Sequence, residues 1–409
     1  MTNPLRAGPG SVAVILVNHG EYARRFLADC CAGLRAQDYP REKSALFIVD
    51  NESTPESRRL IGEIAPTARI LPQRENLGWA GGNNAGIRAA LADGFEQVVL
   101  LNMDTVVDPS WLRELVSKFA ARPDVQILQS RIRIFGTDRI NSVGNRIQFL
   151  GYGYCNGYGR RDGPDLPAYP MDYASGAAML VRCEVFERIG LFREEYFMYY
   201  DDMEFCWRAR LAGLNVGLAE RSLCHHKYDF ARVRNSIFLL ERNRWLTLLG
   251  LAEGRTLASI LPCLLAAQLG SAAYFILTGR GAAMLRLART FCRRETWRRI
   301  AGHRRLAARL RRRPDAEIAA RFAGPILFAE IDSPAFRWLI NPLLTAYWAA
   351  ARRLIRRPPA PAPRRSPAAR PAGLPAIQSP TRLPAGTRAR SQKFPAALDL
   401  LPNHRPYFQ

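Results

Sequence analysis

Short apolar, β-branched segments alternate with longer segments of helical periodicity through the N-terminal part of the chain. The predicted strands are Val12–Val17, Leu46–Val49, Ile70–Leu71 and Val98–Leu101. The predicted helices are Tyr22–Leu34, Pro55–Ile64, Ala85–Ala92 and a helix that opens at Pro109. Buried helices also contain short apolar runs, but the bracketing Asn, Asp and Gly residues favour strands here. The alternation predicts an α/β fold with a mostly parallel sheet and helices on both faces.

The pattern breaks between Gln129 and Tyr169, where glycine and tyrosine are frequent. We expect an irregular loop there. It is either a simple connection or an excursion, over residues 131–169, that forms an acceptor site, and the pattern leaves both open. Regular structure returns at Ser175–Val181, Cys183–Ile189, Asp201–Ala212 and a short strand at Val216–Ala219.

Beyond Glu253 the chain becomes apolar and then basic. Thr256–Gly279 is 24 residues without a charge, and a helix of that length rises about 36 Å, enough for a bilayer core of about 30 Å. Arg286–Arg313 holds 12 arginines and one acid among Leu, Ile, Phe and Trp, which is typical of helices on anionic lipid. The alternative is a solvated basic helix packed on the globule by its apolar stripe.

We therefore predict three regions. Residues 1–253 form a globular α/β domain, and residues 254–357 form an apolar and basic helical region associated with a membrane. Within that second region Trp338–Ala351 is apolar but too short to span a bilayer. Residues 358–409 are rich in Pro, Ala and Arg and are predicted to be disordered.

The formal net charge of +23 is concentrated in the C-terminal part. Residues 1–253 hold 31 Lys and Arg against 30 Asp and Glu, whereas residues 254–409 hold 28 against 6. The arginines alternate with Leu and Ile beside an uncharged segment, which suits an anionic membrane surface better than a nucleic acid. We predict no nucleic-acid partner; a basic-tail nucleic-acid-binding protein is the alternative. Residues 1–10 lack an apolar run, so we expect no cleavable signal peptide.

Polar side chains stand at the ends of three predicted strands: Asn18 with His19, Asp50 with Asn51, and Asn102 with Asp104. In parallel α/β sheets, ligands bind beyond the carboxyl ends of the strands. A single such residue is also typical of helix caps and turns. Three on one edge predict a binding site.

Asn102-Met103-Asp104 places two oxygen-bearing side chains on one face of an extended chain. Mg²⁺ and Mn²⁺ prefer such oxygens and often bridge them to substrate phosphates. Capping of the Pro109 helix is the alternative role for Asp104. Farther along, His225-His226 follows a predicted strand, and one imidazole would complete an oxygen-rich metal shell. A structural histidine is the alternative.

Glu75–Gly86 is a Gly- and Asn-rich segment that runs into a helix. Backbone N–H groups in such a loop, together with a helix N-terminus, bind a pyrophosphate. The segment has neither the Gly-Lys-Ser/Thr of a Walker loop nor a G-x-G-x-x-G pattern. An ordinary strand-to-helix loop is the alternative.

Asp201-Asp202-Met203-Glu204 begins an apolar-periodic segment. Acids in a first helical turn complement the helix macrodipole. Three acids in four positions exceed that need, and clustered carboxylates raise one another's pKa toward the range of a general base. The segment is therefore a candidate source of the base, with capping as the alternative.

Taken in order, these motifs resemble glycosyltransferase family 2, which has the GT-A fold, and in particular its rhamnosyltransferase-like branch. The resemblance covers about residues 10–250 of the chain. The matching stretches are VAVILVNHG (Val12–Gly20), IVDNES (Ile48–Ser53), NLGWAGGNNAG (Asn76–Gly86), LNMDT (Leu101–Thr105), SGAAMLV (Ser175–Val181), YYDDMEFCWR (Tyr199–Arg208) and HKYDFARVRNSIFLLERNR (His226–Arg244).

The resemblance implies an inverting, metal-dependent glycosyltransferase in residues 1–253. It implies Asp202 as the catalytic base that deprotonates the acceptor hydroxyl. It implies that the donor's nucleoside lies at Asn18 and Asp50, and that Asn76, Gly78 and Asn84 line the nucleotide and diphosphate pocket. Asn102 and Asp104 take the place of the family's metal motif. His226 takes the place of its late metal ligand.

The donor implied is a dTDP- or UDP-sugar. Its sugar is rhamnose or a related hexose, because donors of several sugars share these motifs. The metal implied is Mg²⁺ or Mn²⁺. The acceptor implied is a lipid-linked or cell-surface glycan. Together with the basic C-terminal part, this places the protein at the cytoplasmic face of the plasma membrane, either peripheral or with one inserted helix.

Two positions depart from the family pattern. Asn102 stands where the family usually has Asp, and Asp201-Asp202-Met203-Glu204 replaces the usual Glu-Asp-x-Asp. A non-catalytic member of the family is the alternative that these changes raise. The retained Asp202, Asp104 and His226 argue against it.

Overall fold

The computed structural model describes residues 10–164, 166–227, 236–327 and 333–355. The predicted tail, 358–409, lies outside these residues, as does 228–235 of the last motif. The strands are β1 (Val12–His19), β2 (Ser44–Asn51), β3 (Arg69–Pro72), β4 (Gln97–Leu101), β5 (Thr105–Val107), β6 (Ile127–Ile134), β7 (Ile140–Ser142), β8 (Asn145–Ile147), β9 (Gly153–Cys155), β10 (Ala178–Arg182) and β11 (Val216–His226).

The described helices alternate with these strands and then continue as a C-terminal group. They are α1 (Ala28–Arg35), α2 (Pro55–Ile64), α3 (Gly78–Ala92), α4 (Trp111–Ala121), α5 (Cys183–Ile189), α6 (Asp201–Leu211), α7 (Ile237–Leu251), α8 (Gly254–Leu277), α9 (Gly281–Phe291), α10 (Arg294–Leu310), α11 (Asp315–Ile318) and α12 (Asn341–Ile355). Short π-helical segments, Ala23–Leu27 and Phe336–Ile340, lead into α1 and α12.

The main sheet has the order β3-β2-β1-β4-β10-β6-β11-β5, with β7 paired to β6. Strands β3, β2, β1 and β4 are parallel, and β11 is parallel to β6. Strand β10 runs antiparallel between β4 and β6. The central strands are buried on both faces, which is why they read as continuous apolar runs. The predicted α/β fold with a mostly parallel sheet is confirmed.

Each face of the sheet is covered by its own group of helices. One apolar cluster joins the sheet to α1, α2 and α4. The other joins it to α3, α5 and α6 and extends into the C-terminal helices. The sheet is thus sandwiched between helices, and its carboxyl edge is left to polar residues.

The Gly- and Asn-rich segment is helical earlier than its sequence indicates. We expected a loop up to Ala85, whereas α3 begins at Gly78. Its glycines serve close packing: a Cβ atom at Gly82 would lie 2.7 Å from Val17 Cγ1, and one at Gly86 would lie 2.5 Å from Ile15 Cγ2. The glycines therefore let α3 approach β1 closely, a role that composition does not distinguish from loop flexibility.

The expectation of an irregular loop between Gln129 and Tyr169 is wrong up to Cys155. Strands β6, β7, β8 and β9 lie there. Three of them are only three residues long, so their alternation is too brief to stand out from the surrounding glycines.

The C-terminal helices pack on the α/β domain. Helix α10 lies against α7, α9 against α7 and α8, and α12 against α8. Trp348 of α12 stacks on Phe149, with ring centroids 5.0 Å apart. Among the described residues, α8 is the one helix long and apolar enough to cross a membrane.

Candidate active site

Asn18 and Asp50 form a buried polar pair at the carboxyl edge of the sheet. They occupy the same register position on the neighbouring strands β1 and β2. Asn18 Nδ2 donates to Asp50 Oδ1 over 2.6 Å, and Ser57 Oγ of α2 donates to Asp50 Oδ2 over 2.6 Å. Asn18 Oδ1 accepts from Ala23 N. These bonds fix both side chains where the resemblance expects the nucleoside.

Asn76 and Gly78 form the turn into α3 at the same edge. Asn76 Nδ2 lies 3.2 Å from His19 Nε2, and Asn76 Oδ1 accepts from Gly78 N over 2.9 Å. Gly78 has φ of +69°, and a Cβ atom there would lie 2.2 Å from Phe197 O. Only glycine permits this turn and the close approach of the Phe197 backbone.

Asn84 is directed elsewhere. It is buried, its Nδ2 donates to Phe192 O and to Glu194 Oε1, and its Oδ1 accepts from Phe192 N. The structure therefore joins Asn84 to the segment before α6 and does not bring it to Asn18 or Asp50 by hydrogen bonds. Its predicted contact with the diphosphate stays a prediction.

Asp104 and His226 meet at the adjacent strand ends. Asp104 Oδ1 lies 3.2 Å from His226 Nε2, and both side chains are buried. Pairing of β5 with β11 sets this contact, because His226 lies opposite Thr105. Among the described residues no group of three or more His, Cys, Asp or Glu side chains converges as a metal site. The chain thus brings together one carboxylate and one imidazole.

Asn102 is tied to a tryptophan that the sequence reasoning did not single out. Trp79 Nε1 donates to Asn102 Oδ1 over 3.0 Å, and the Trp79 ring lies so close to Gly176 that a Cβ atom there would be 2.4 Å away. Trp79 stands inside the quoted NLGWAGGNNAG motif, but its spacing to Asn102 is visible only in the fold. An amide at 102 accepts this bond without adding a negative charge.

Asp202 lies at the first turn of α6, partly buried. Gly176 N donates to Asp202 Oδ2 over 3.0 Å, and Met203 N donates to Asp202 Oδ1 over 2.7 Å. Burial raises the pKa of the Asp202 carboxyl to about 6, against the hydrogen bonds that lower it. Burial, and then the charge of Asp202, raise the pKa of Asp201 well above its ordinary value. Such a pKa suits a general base near neutral pH.

Glu204 does not belong with the two aspartates, contrary to the sequence interpretation of one acidic cluster. Its carboxylate pairs with Arg193 over 2.7 Å and with Arg208 over 2.8 Å. Although burial opposes it, the charges of Arg208 and Arg193 lower the pKa of Glu204. Asp202 and Glu204 lie two residues apart on α6, about 200° around the helix axis, so their side chains face opposite sides of the helix.

Gly176 and Ala177 connect the strand end of Asn102 to Asp202. Ala177 O accepts from Asn102 N over 2.9 Å, while Gly176 N donates to the Asp202 carboxylate. These two residues directly precede β10, which pairs with β4. The candidate metal motif and the candidate base are thereby held by one short backbone segment.

The segment before α6 has an unusual backbone. Phe197, Tyr199 and Tyr200 all have φ between +66° and +68°, a region that costs non-glycine residues about 1–2 kcal/mol each. Asn243 of α7 stabilises it: its Nδ2 lies within 3.0 Å of the carbonyl oxygens of Tyr196, Met198 and Tyr199. A helix distant in sequence thus holds the strained entry to Asp202.

Residues 131–169, the possible acceptor site, contact both α6 and α7. A Cβ atom at Gly153 would be 2.4 Å from Met203 Cε. The Arg244 guanidinium lies 4.5 Å above the Tyr152 ring, and its Nη1 donates to Leu150 O. The turn between β8 and β9 therefore borders the first turn of α6, next to Asp202.

We predict that Asn243→Ala lowers the free energy of unfolding by about 1–3 kcal/mol, because buried carbonyls lose their donor. Asn243→Asp keeps the size of the side chain but faces a carboxylate toward three carbonyl oxygens. It should destabilise at least as much as the Ala variant in urea denaturation. An Asp variant as stable as the native protein would show that the amide donor does not hold this segment.

Comparison with known proteins gives a family match and several sequence relatives. Residues 11–190 match the model of the family described as glycosyl transferase family 2. The chain is 30% identical over 208 residues to the low-salt glycan biosynthesis hexosyltransferase Agl10 of Haloferax volcanii, covering 49% of this chain and 65% of that protein. It is 27% identical over 241 residues to the N-acetylglucosaminyl-diphospho-decaprenol L-rhamnosyltransferase of Mycobacterium tuberculosis, covering 53% of this chain and 75% of that protein.

Among solved structures, S. aureus TarS 1-349 in complex with UDP superposes with a TM-score of 0.45 at 12% identity, covering 85% of this chain and 89% of that one. The chain spans slightly less than two thirds of the Haloferax protein's length. Residues 11–190 of the chain thus match glycosyl transferase family 2, and the two sequence relatives are a hexosyltransferase and a rhamnosyltransferase.

Proposed function

We propose that this protein is an inverting, metal-dependent glycosyltransferase. It moves a sugar from a dTDP- or UDP-sugar to a lipid-linked glycan at the cytoplasmic face of the plasma membrane. The observation that carries the proposal is the backbone segment Gly176–Ala177, which binds both Asn102 and the carboxylate of Asp202. It supports a single displacement, because one short backbone segment holds both the strand end that carries Asn102 and the candidate base.

In the proposed reaction Asp202 accepts the proton of the acceptor hydroxyl. The acceptor oxygen then forms a bond to the anomeric carbon as the bond from that carbon to the diphosphate oxygen breaks, and its electron pair leaves with the nucleoside diphosphate. Attack from the face opposite the leaving group inverts the anomeric carbon. The raised pKa of Asp202 supports this role, since a carboxyl titrating near 6 is a better base than an ordinary aspartate.

The residues present fit a divalent cation. Asp104 and His226 supply one carboxylate oxygen and one imidazole nitrogen, and Mg²⁺ or Mn²⁺ takes its further ligands from substrate phosphates and water. When bound, the metal would offset the negative charge that develops on the departing diphosphate. Asn102 directly follows β4, and its side-chain oxygen accepts a hydrogen bond from Trp79.

A donor at this edge would meet groups already fixed by the fold. We assign the nucleoside to Asn18 and Asp50 and the diphosphate to the turn at Asn76 and Gly78. The N-terminus of α3 starts at that turn, and helix N-termini favour phosphate. We assign Asn84 to the wall behind the pocket, since its amide binds the Phe192 backbone.

A lipid-linked acceptor is supported by two observations. The Mycobacterium relative is named for a decaprenol-linked substrate. The C-terminal part of this chain carries an apolar helix, α8, followed by an arginine-rich region. An enzyme whose acceptor is anchored in lipid needs its site close to the membrane surface.

The proposed function is tested with a panel of dTDP- and UDP-sugars, Mn²⁺ or Mg²⁺ and polyprenyl-diphosphate-linked sugars, with the product identified by mass. We expect transfer from at least one donor, and about 10²–10⁴-fold slower transfer by Asp202→Asn with unchanged nucleotide affinity. Because the base acts deprotonated and its pKa is near 6, kcat/KM should rise from about pH 5 to pH 7 and then level off.

An unchanged rate in Asp202→Asn would remove this residue as the base. If the native protein itself transfers sugar no faster than the background without enzyme, the protein is non-catalytic. A kcat/KM that falls with pH across this interval would also contradict a carboxylate base.

The metal proposal predicts that His226→Ala and Asp104→Ala each weaken Mn²⁺ binding in the presence of UDP by about tenfold or more. Electron paramagnetic resonance titration of Mn²⁺ measures this affinity. His225→Ala is the matched control, because His225 is the neighbouring imidazole and binds Asp108 over 3.0 Å instead. Equal losses in the His225 and His226 variants would contradict the assignment.

A further inference from the structure

Helix α8 is fastened to the α/β domain along most of its length. Thr256, Ile260 and Leu264 recur every four residues and are buried. One turn later Gln268 Oε1 accepts from Arg244 Nη2 over 2.8 Å and from Trp245 Nε1 over 2.7 Å. The helix therefore has one face against the domain from its start to Gln268.

This attachment argues against a bilayer crossing. Nine residues of α8 follow Gln268, up to Leu277, and they rise about 13 Å. The hydrocarbon core is about 30 Å thick. Although α8 is long enough by composition, most of it is already bound to a folded domain that cannot enter lipid.

The other side of α8 is apolar and exposed. Leu261, Leu265, Leu269 and Ile276 recur at intervals of four and seven and are between 46% and 73% exposed. These intervals place them on one face of a helix. An apolar face of this size on a described surface needs a partner.

Helix α12 and the π-helical segment before it add to this surface. Tyr347 Oη donates to Ser259 O over 2.7 Å, which holds α12 beside α8. Trp338, Leu339 and Leu343 are at least 60% exposed. We call the exposed apolar side chains of Leu261, Leu265, Leu269, Trp338, Leu339 and Leu343 the docking face.

Charge indicates what covers the docking face. Helices α9 and α10 pack next to α8 and α7. Residues 286–313, which include most of both helices, carry 12 arginines with Glu295 as the one acid. Most of these arginines are exposed, and Trp297 among them is 51% exposed. Exposed Leu and Trp beside arginines match the interface of an anionic bilayer.

We propose that the docking face lies in the interfacial layer of an anionic membrane and that α8 attaches the protein without spanning it. The role of this attachment in catalysis rests on the proposed function. Gln268 of α8 binds Arg244, and the Arg244 guanidinium lies over the Tyr152 ring, next to the first turn of α6. Docking would thus bring the acceptor side of Asp202 to the membrane surface, where a lipid-linked sugar is held.

The test is co-sedimentation of the full chain with vesicles of phosphatidylcholine alone or with one quarter phosphatidylglycerol. We expect binding to the anionic vesicles, weakened by salt, and release by alkaline carbonate. Leu265→Ser/Leu269→Ser should weaken binding about tenfold or more, since two leucines no longer enter the interface. Phe135→Ser is the matched control, because Phe135 is 44% exposed on the α/β domain.

Resistance to carbonate would overturn the non-spanning attachment. A salt-insensitive dimer in sedimentation velocity that binds no vesicles, or binding to RNA without vesicle binding, would overturn the membrane partner. Sugar transfer to a soluble acceptor is measured on the same variants. Transfer without vesicle binding refutes this inference alone, and vesicle binding without transfer from any donor refutes the proposed function alone.

Discussion

The antiparallel insertion of β10 beside β4 is the constraint on which the candidate site depends. It places Gly176 and Ala177 at the carboxyl edge of an otherwise parallel region. There Ala177 O accepts from Asn102 N, and Gly176 N donates to the Asp202 carboxylate. Residues that are 100 positions apart in the chain are held together by two hydrogen bonds of a rigid strand end.

Electrostatics then separates three carboxyl groups that adjoin in sequence. Glu204 is neutralised by two arginines, whereas Asp201 and Asp202 lose solvent without gaining a cation and keep raised pKa values. Glu204 therefore serves as a buried ion-pair partner, and Asp202 is left as the candidate base. Strain in the preceding segment is offset by Asn243, so α7 belongs to the site although it contributes no proposed ligand.

The C-terminal helices link the site to its proposed surroundings. Arg244 and Trp245 of α7 bind Gln268 of α8, while Asn243, on the same helix, binds the segment before Asp202. One helix thus contacts both the strained segment and the helix whose opposite face is exposed and apolar. Through α7, the segment before Asp202 is therefore linked to the exposed apolar face of α8.

Much of the fold and the edge of the sheet were predictable, because buried parallel strands leave unbroken apolar runs and their polar ends are local features. The positions of Asn18, Asp50 and Asp104 at this edge were predicted in this way, and their roles stay predictions. The start of α3 was misplaced because Gly82 and Gly86 are required by packing against β1, which composition does not show. Asn243, Trp79 and the arginine partners of Glu204 act through contacts between distant segments, and a single sequence carries no local signal for them.

The central claim is a single displacement with Asp202 as the base, and the configuration of the product tests it most directly. Nuclear magnetic resonance of the first-formed glycosidic linkage, compared with that of the donor, gives the stereochemical outcome. We expect an inverted anomeric carbon. Retention of the donor's configuration would contradict this, because a single displacement from the face opposite the leaving group inverts the anomeric carbon.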